Sequence, residues 1–241
     1  MPDIMSASLS ENHMIITVAN KKGGTGKTTI STNLAAMAAL CGKDVILVDT
    51  DTKQASIHAW TGLRQKNDIK PFLPAVLKQG MFAADVMNLA EKYDVVIVDV
   101  GGNDTIELRQ GIACADRVVV PLKVGQWEAW GMTAFVGIIQ EIEQKIGYKI
   151  SCLAVINCAP TNVNSKETAE VREAMVPFAD TMPLLDTTIG DRKIFRDAPR
   201  YGKSVVEMKA RAGEAGIGEI ISLYEAVFDE KFEPTYVSEE A

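Results

Sequence analysis

The chain has 241 residues, 47% hydrophobic and 24% charged, the composition of a globular protein with a buried core rather than of a disordered or fibrous one. Its net charge of -7 excludes a protein that wraps nucleic acid through bulk positive charge, so any such contact has to be local. Four cysteines without a CxxC pair, only two histidines, and no apolar stretch near the roughly 18 residues of a membrane span argue against a disulfide scaffold, structural zinc and a spanning helix.

Residues 1–13 lack a basic start followed by an apolar run of signal-peptide length. They read as a flexible arm on a protein expected in the reducing cytoplasm. A first strand is predicted at Met14–Ala19, followed by the glycine-rich stretch Lys22–Thr29. A helix comes next, with Ile30, Leu34, Met37, Ala38 and Cys41 at spacings of three and four and Gly42 as its stop. Further strands are predicted at Val45–Val48, Val95–Val98, Arg117–Pro121, Cys152–Ile156 and Pro183–Leu185. These runs are continuous rather than alternating, the pattern of parallel strands buried on both faces. Thr61–Met81, with Pro71 and Pro74, is the least periodic stretch and reads as an excursion between core elements. Trp127 and Trp130 open a helix after Gly125 and read as a packing pair, or as a partner contact if exposed. A last helix is predicted over Glu219–Phe232, and the acidic end, Glu233–Ala241, is expected to fray. The prediction is one α/β domain over residues 14–232, a doubly wound, mainly parallel sheet flanked by helices.

The stretch Lys22-Gly23-Gly24-Thr25-Gly26-Lys27-Thr28-Thr29 joins the first strand to the first helix. The general pattern G-x-x-x-x-G-K-[ST] fails at Lys21, which is not glycine, but its physics survives. Gly23, Gly24 and Gly26 permit turns that let successive N–H groups converge on phosphate oxygens at a helix N-terminus. Lys27 supplies a charge to the β/γ-phosphates, and the Thr28 hydroxyl is placed for magnesium. Residues 23–29, Thr25 and Thr29 included, are the predicted nucleotide-binding set.

Residues 22–29 resemble the K-G-G-x-G-K-[ST] loop of the deviant Walker A ATPases of the ParA/MinD group. The similarity extends from about Met14 to Phe228. It implies ATP and Mg2+ as ligands, and an ATP-closed homodimer in which Lys22 reaches the partner subunit's phosphates, as an arginine finger does elsewhere. In the family an aspartate pair ends the second strand, and its second member orients the attacking water. The resemblance gives that role to Asp51, with Asp49 as support and as a further acid near the metal. Asp99, at the end of Val95–Val98, looks like a Walker B aspartate holding magnesium. The following Val100-Gly101-Gly102 gives D-x-x-G, whose glycine N–H could sense the γ-phosphate. Each strand-end aspartate could instead be a helix cap. Thr52-Lys53-Gln54 and Gly101-Gly102-Asn103 depart from the proline-containing turns common in the family. Asn157, at a strand end where a GTPase would carry Asn-Lys-x-Asp, is a candidate adenine contact or a turn residue.

The segment Asp191–Lys203 holds five cations against two acids. It resembles the A-P-x-Y-G element of ParA partition ATPases, with Arg211 following where that family often carries a DNA-contacting arginine. Arg192, Arg196, Arg200, Lys203 and Arg211 are therefore candidates for nonspecific phosphate contacts, the alternative being a solvated charged loop. The resemblance implies a nucleoid-associated ATPase for plasmid or chromosome partition, stimulated by a ParB-like centromere-binding partner. The acidic last helix argues against membrane docking, and the short arm against a helix-turn-helix. The alternatives are positioning of another cargo and a metabolic phosphate-loop enzyme of the same superfamily.

Overall fold

The structure, a computed structural model, describes residues 13–125, 129–162, 165–208 and 214–235. Strands β1 (Met14–Val18), β2 (Val45–Asp49), β3 (Ala75–Leu77), β4 (Val95–Asp99), β5 (Arg117–Lys123), β6 (Ser151–Ala159) and β7 (Leu184–Gly190) form one parallel sheet in the order β3-β2-β4-β1-β5-β6-β7. Helices α1 (Lys27–Leu40), α2 (Ser56–Lys66), α3 (Ala83–Ala90), α4 (Ile106–Ala113), α5 (Ala129–Ile146), α6 (Lys166–Met175), α7 (Lys193–Asp197) and α8 (Glu214–Phe228) flank it.

Side chains alternate across the pleat, and both faces are covered, which is why the strands read as unbroken apolar runs. In β1, Ile15 joins a layer with Phe82, Val86, Leu108, Phe135 and Ile139, while Ile16 and Val18 join an opposite layer with Leu34, Met37, Ile57, Trp60 and Tyr224. From β1 the chain builds outward through α1 to β2. From β4 it crosses, through α4, to β5 on the other side of β1. The strand order therefore reverses at β1, and the crevice beyond its carboxyl end is where doubly wound sheets bind ligands.

Three expectations are corrected. Thr61–Lys66 is the second half of α2, and Ala75–Leu77 is an edge strand paired with β2. A three-residue, half-exposed strand leaves no periodic signal. The last helix begins at Glu214 and ends at Phe228, where Asp229 turns left-handed (φ 54), rather than running to Phe232. Glu233–Thr235, expected to fray, turn back onto the end of α1, where the Thr235 N–H donates to the Leu40 carbonyl at 2.9 Å. Residues 1–12 and 236–241, Trp127, the Trp130 side chain and Arg211 lie outside what the structure describes.

One face of α2 holds the segment after β7. Asn67 just beyond the helix, Arg64 and Trp60 donate to three successive carbonyls, those of Tyr201 (3.0 Å), Gly202 (3.1 Å) and Lys203 (3.3 Å). The Arg64 guanidinium is 1% exposed; it also pairs bidentately with Glu207 at 2.8 and 2.6 Å and donates to the Pro71 carbonyl at 2.9 Å. Gly202 sits at φ 72, and a Cβ there would lie 2.4 Å from the Arg64 backbone nitrogen. Only glycine lets this turn close so tightly on the helix. The basic segment is thereby fixed to an element whose other end lies at the β2 carboxyl terminus.

Candidate functional site

At the end of β1, Asn20 spans the sheet's switch point. Its amide nitrogen donates to the Pro121 carbonyl at 2.7 Å, and its Oδ1 accepts the Lys22 N–H at 2.9 Å, so the loop departs from an anchored residue. Gly26 caps α1 with φ 90 and gives no side-chain bond to the helix, and the first turn carries no acid. The N-terminal N–H groups and the positive end of the helix dipole thus face the loop. Cβ atoms built at Gly23 and Gly24 would meet nothing within 4 Å, so the loop is open on its outer side, as a phosphate cradle requires. The Lys27 ammonium is buried and donates to the Lys22 carbonyl at 3.0 Å. Burial pushes its pKa below the ordinary lysine value, and the charges of Asp99 and Asp51 pull it back up. A poorly hydrated cation inside an open loop is a group suited to an anionic ligand.

Beneath the loop, Asp99 ends β4 in register with Asp49 of β2. Asp99 accepts Thr28 Oγ1 at 2.6 Å and Ser31 Oγ at 3.1 Å. Its pKa is raised to about 7, chiefly by burial with the nearby charge of Asp49 adding to the rise, while the two hydroxyls oppose it. A buried carboxylate destabilised in this way is relieved by a cation, and the Thr28 hydroxyl beside it adds a second hard oxygen. Among the described residues no group of three His, Cys, Asp or Glu side chains could cage a metal. Two oxygens suit magnesium, which takes few protein ligands and completes its shell with water and phosphate.

Asp49 is differently employed. It is 1% exposed, its Oδ1 accepts the Asp51 N–H at 3.0 Å, and its Oδ2 accepts the Ile57 N–H at 3.1 Å. Burial raises its pKa and these N–H bonds oppose the shift. Both of its oxygens accept N–H groups of the turn into α2. Asp51 is held above that turn with its Oδ1 accepting the Gln54 N–H at 3.1 Å. Thr50 between them accepts the Gly101 N–H at 3.2 Å and donates to the Asp99 carbonyl at 3.1 Å, tying the two acidic strand ends together.

The turn after β4 lies against the phosphate loop. A Cβ at Gly102 would come within 3.2 Å of the Gly23 nitrogen, and the Asn103 N–H, at φ 82, donates to the Lys21 carbonyl at 2.7 Å. On its far side, Arg109 holds Asp104 at 2.8 Å and reaches Glu141 of α5, also at 2.8 Å. Asn157, read as an adenine contact or a turn residue, is 5% exposed and directs its amide nitrogen to the Thr25 carbonyl at 2.7 Å.

Of the basic candidates, Arg192, Arg196 and Arg200 are paired with acids. Arg192 forms a bidentate pair with Glu219 (2.6 and 3.1 Å), Arg196 pairs with Asp191, and Arg200 pairs with Asp197 at 3.3 Å. The Arg196 and Arg200 side chains are 59% and 74% exposed, against 28% for Arg192, whose guanidinium is taken up by α8. Exposed surface pairs such as those of Arg196 and Arg200 cost little to rearrange. Ser31, Thr50, Asn20 and Arg64 were not legible as site or support residues. Ser31 alone left a signal, lying one helical turn beyond Thr28 on the same face.

The CobQ/CobB/MinD/ParA nucleotide binding domain family matches residues 16–205. The maintenance of carboxysome distribution protein A of Halothiobacillus neapolitanus is 29% identical over 212 residues, covering 86% of this chain and 93% of that protein. The chromosome-partitioning ATPase Soj of Thermus thermophilus is 26% identical over 220 residues, covering 80% and 87%. In fold the chain is similar to the Cyanothece McdA(D38A)–ATP complex, with a TM-score of 0.74 at 16% identity, covering 94% of this chain and 99% of that one.

Proposed function

The chain belongs to the CobQ/CobB/MinD/ParA nucleotide-binding family, and on that premise we propose that it is a partition ATPase: a switch that binds ATP and Mg2+, closes as a homodimer and holds nonspecific DNA. The observation that carries the nucleotide half is the Thr28–Asp99 contact of 2.6 Å directly beneath an open glycine loop with the Lys27 ammonium turned into it. Residues 23–29 would bind the phosphates, Lys27 would neutralise them, and Thr28 with Asp99 would hold the metal. When bound, magnesium supplies positive charge to the phosphate oxygens. Asp51, steadied by Asp49 and Gln54, would orient the attacking water, and Lys22 would supply its ammonium to the partner subunit's phosphates. A ParB-like centromere-binding partner would stimulate hydrolysis, and the protein would reside in the cytoplasm on the nucleoid. No helix among the described residues is long and apolar enough to cross a membrane.

The DNA half is supported by the exposed pair Arg196 and Arg200 on a segment fixed to α2. Replacing both arginines with glutamate is expected to lower ATP-dependent binding to random-sequence duplex. It should also make the log–log salt dependence shallower by about two, since each lost phosphate contact removes roughly 0.9 from the slope. Titrations at several salt concentrations measure this. Unchanged affinity and slope would remove the segment from the DNA interface. The second reading, positioning of a cargo other than DNA by the same cycle, is favoured by the similarity to a carboxysome distribution protein.

A further inference from the structure

Asn157 is assigned to the nucleotide, yet its amide nitrogen is bonded to the phosphate loop itself. It lies at the end of β6, opposite Lys123 of β5, where the β6–β7 register is broken by a bulge between Ile156 and Ala159. Cys158, the next residue, is left-handed at φ 53. Bulges beside functional sites redirect a side chain that a regular strand would aim elsewhere, and a non-glycine residue at positive φ is retained only where the surroundings impose it. Here the redirected side chain reaches the apex of the phosphate loop. Its Nδ2 donates to the Thr25 carbonyl at 2.7 Å in a buried setting. The same nitrogen would lie 2.1 Å from a Cβ on Gly26, so the amide occupies the space that glycine leaves at the residue capping α1.

Thr25 is 2% exposed and its hydroxyl makes no hydrogen bond, so the carbonyl bond to Asn157 is the polar tie this residue has to the sheet. A buried amide donating to a buried carbonyl is costly to break, because each group would lose its partner without gaining water. The amide carries two N–H groups, and this bond engages one of them.

We propose that Asn157 is a positioning residue for the phosphate loop: it fixes the Thr25–Gly26 peptide so that the N–H groups at the start of α1 converge on phosphate, a role that does not depend on the base. The inference rests on the nucleotide reading above. It separates from that reading because a base contact and a loop brace respond differently to ligands with and without a base.

The test is calorimetric titration of the full chain, wild type and Asn157→Ala, with Mg·ATP, Mg·GTP and magnesium tripolyphosphate, with the ligand-free unfolding midpoint measured for each protein. The expected result is a loss of affinity of tenfold or more that is the same factor for all three ligands, and larger for Asn157→Asp, whose carboxylate would face the Thr25 carbonyl. Should Asn157→Ala fail to fold, the isosteric Asn157→Asp carries the comparison. A loss confined to ATP, with tripolyphosphate unaffected, would overturn the positioning role and restore a base contact. Unchanged affinity for every ligand would overturn both. A wild-type protein that bound no triphosphate at all would overturn the nucleotide reading itself.

Discussion

Replacing Lys27 with alanine is expected to abolish ATP binding at micromolar protein, a loss of about ten- to a hundredfold from the charged hydrogen bond alone, while leaving the fold intact. The side chain is buried, its ammonium pKa is lowered by burial, and its single assigned acceptor is the Lys22 carbonyl at 3.0 Å. A desolvated ammonium pays heavily for its burial unless a full negative charge meets it, and two carboxylates nearby compensate only partly. A triphosphate supplies that charge. A charge-assisted hydrogen bond of this kind contributes about 1.5–3 kcal/mol, and each 1.4 kcal/mol is a factor of about ten in affinity. The loss of shape at the loop adds to it. Calorimetry or a fluorescent ATP analogue measures the effect, with circular dichroism confirming the fold. Wild-type affinity in the variant would overturn the assignment of the loop.

Arg64→Ala is expected to produce the largest loss of stability of any single substitution proposed, about 3–5 kcal/mol. The guanidinium is 1% exposed and makes four hydrogen bonds, to Glu207 twice and to the carbonyls of Pro71 and Gly202. Its removal leaves the Glu207 carboxylate, whose side chain is 10% exposed, without its cation, and two carbonyls without donors. Glu207 still accepts from the Ser204 N–H and hydroxyl at 2.7 and 2.8 Å, which tempers the penalty without cancelling it. Against a total stability of about 5–15 kcal/mol the loss is large, and for a domain of this size it corresponds to roughly 10 °C in the unfolding midpoint. Arg64→Lys should recover little, because one ammonium cannot reproduce the planar fork. A chemical denaturation curve within about 1 kcal/mol of wild type would show that the buried pair contributes no more than a surface one.

The two residues also mark what can and cannot be read from a sequence. Lys27 was legible because the loop is a local object: three glycines, a lysine and a threonine between a strand and a helix specify the backbone and its charge within eight positions. The parallel sheet was legible for a related reason, since strands such as Val95–Val98 are buried on both faces and leave an apolar run with no alternation. Arg64 was not legible. An arginine on an amphipathic helix reads as a solvated charge, and its partners lie at Pro71, Gly202 and Glu207, up to 143 positions away. Asp49 and Asp99 read alike as strand-end acids, yet one spends its oxygens on the N–H groups leading into α2 and the other on hydroxyls of α1. Only the packing of α1 and α2 against the same face of the sheet decides between them. Asn157 read as a turn residue or a base contact because the bulge that aims it depends on the pairing of β6 with β7. The basic segment was visible as a charge excess, but the acid that takes up Arg192, Glu219, comes from another helix.

The account stands most directly on the claim that nucleotide joins two copies of this chain. The decisive measurement is the solution mass of Asp51→Ala with saturating ATP and Mg2+, by light scattering after size exclusion, beside the same protein carrying Lys22→Ala. The account predicts a dimer for Asp51→Ala, because hydrolysis is slowed while the loop and the metal end of the site are kept, and a monomer once Lys22 is also removed. A monomer in both cases, with ATP shown to be bound, would contradict it.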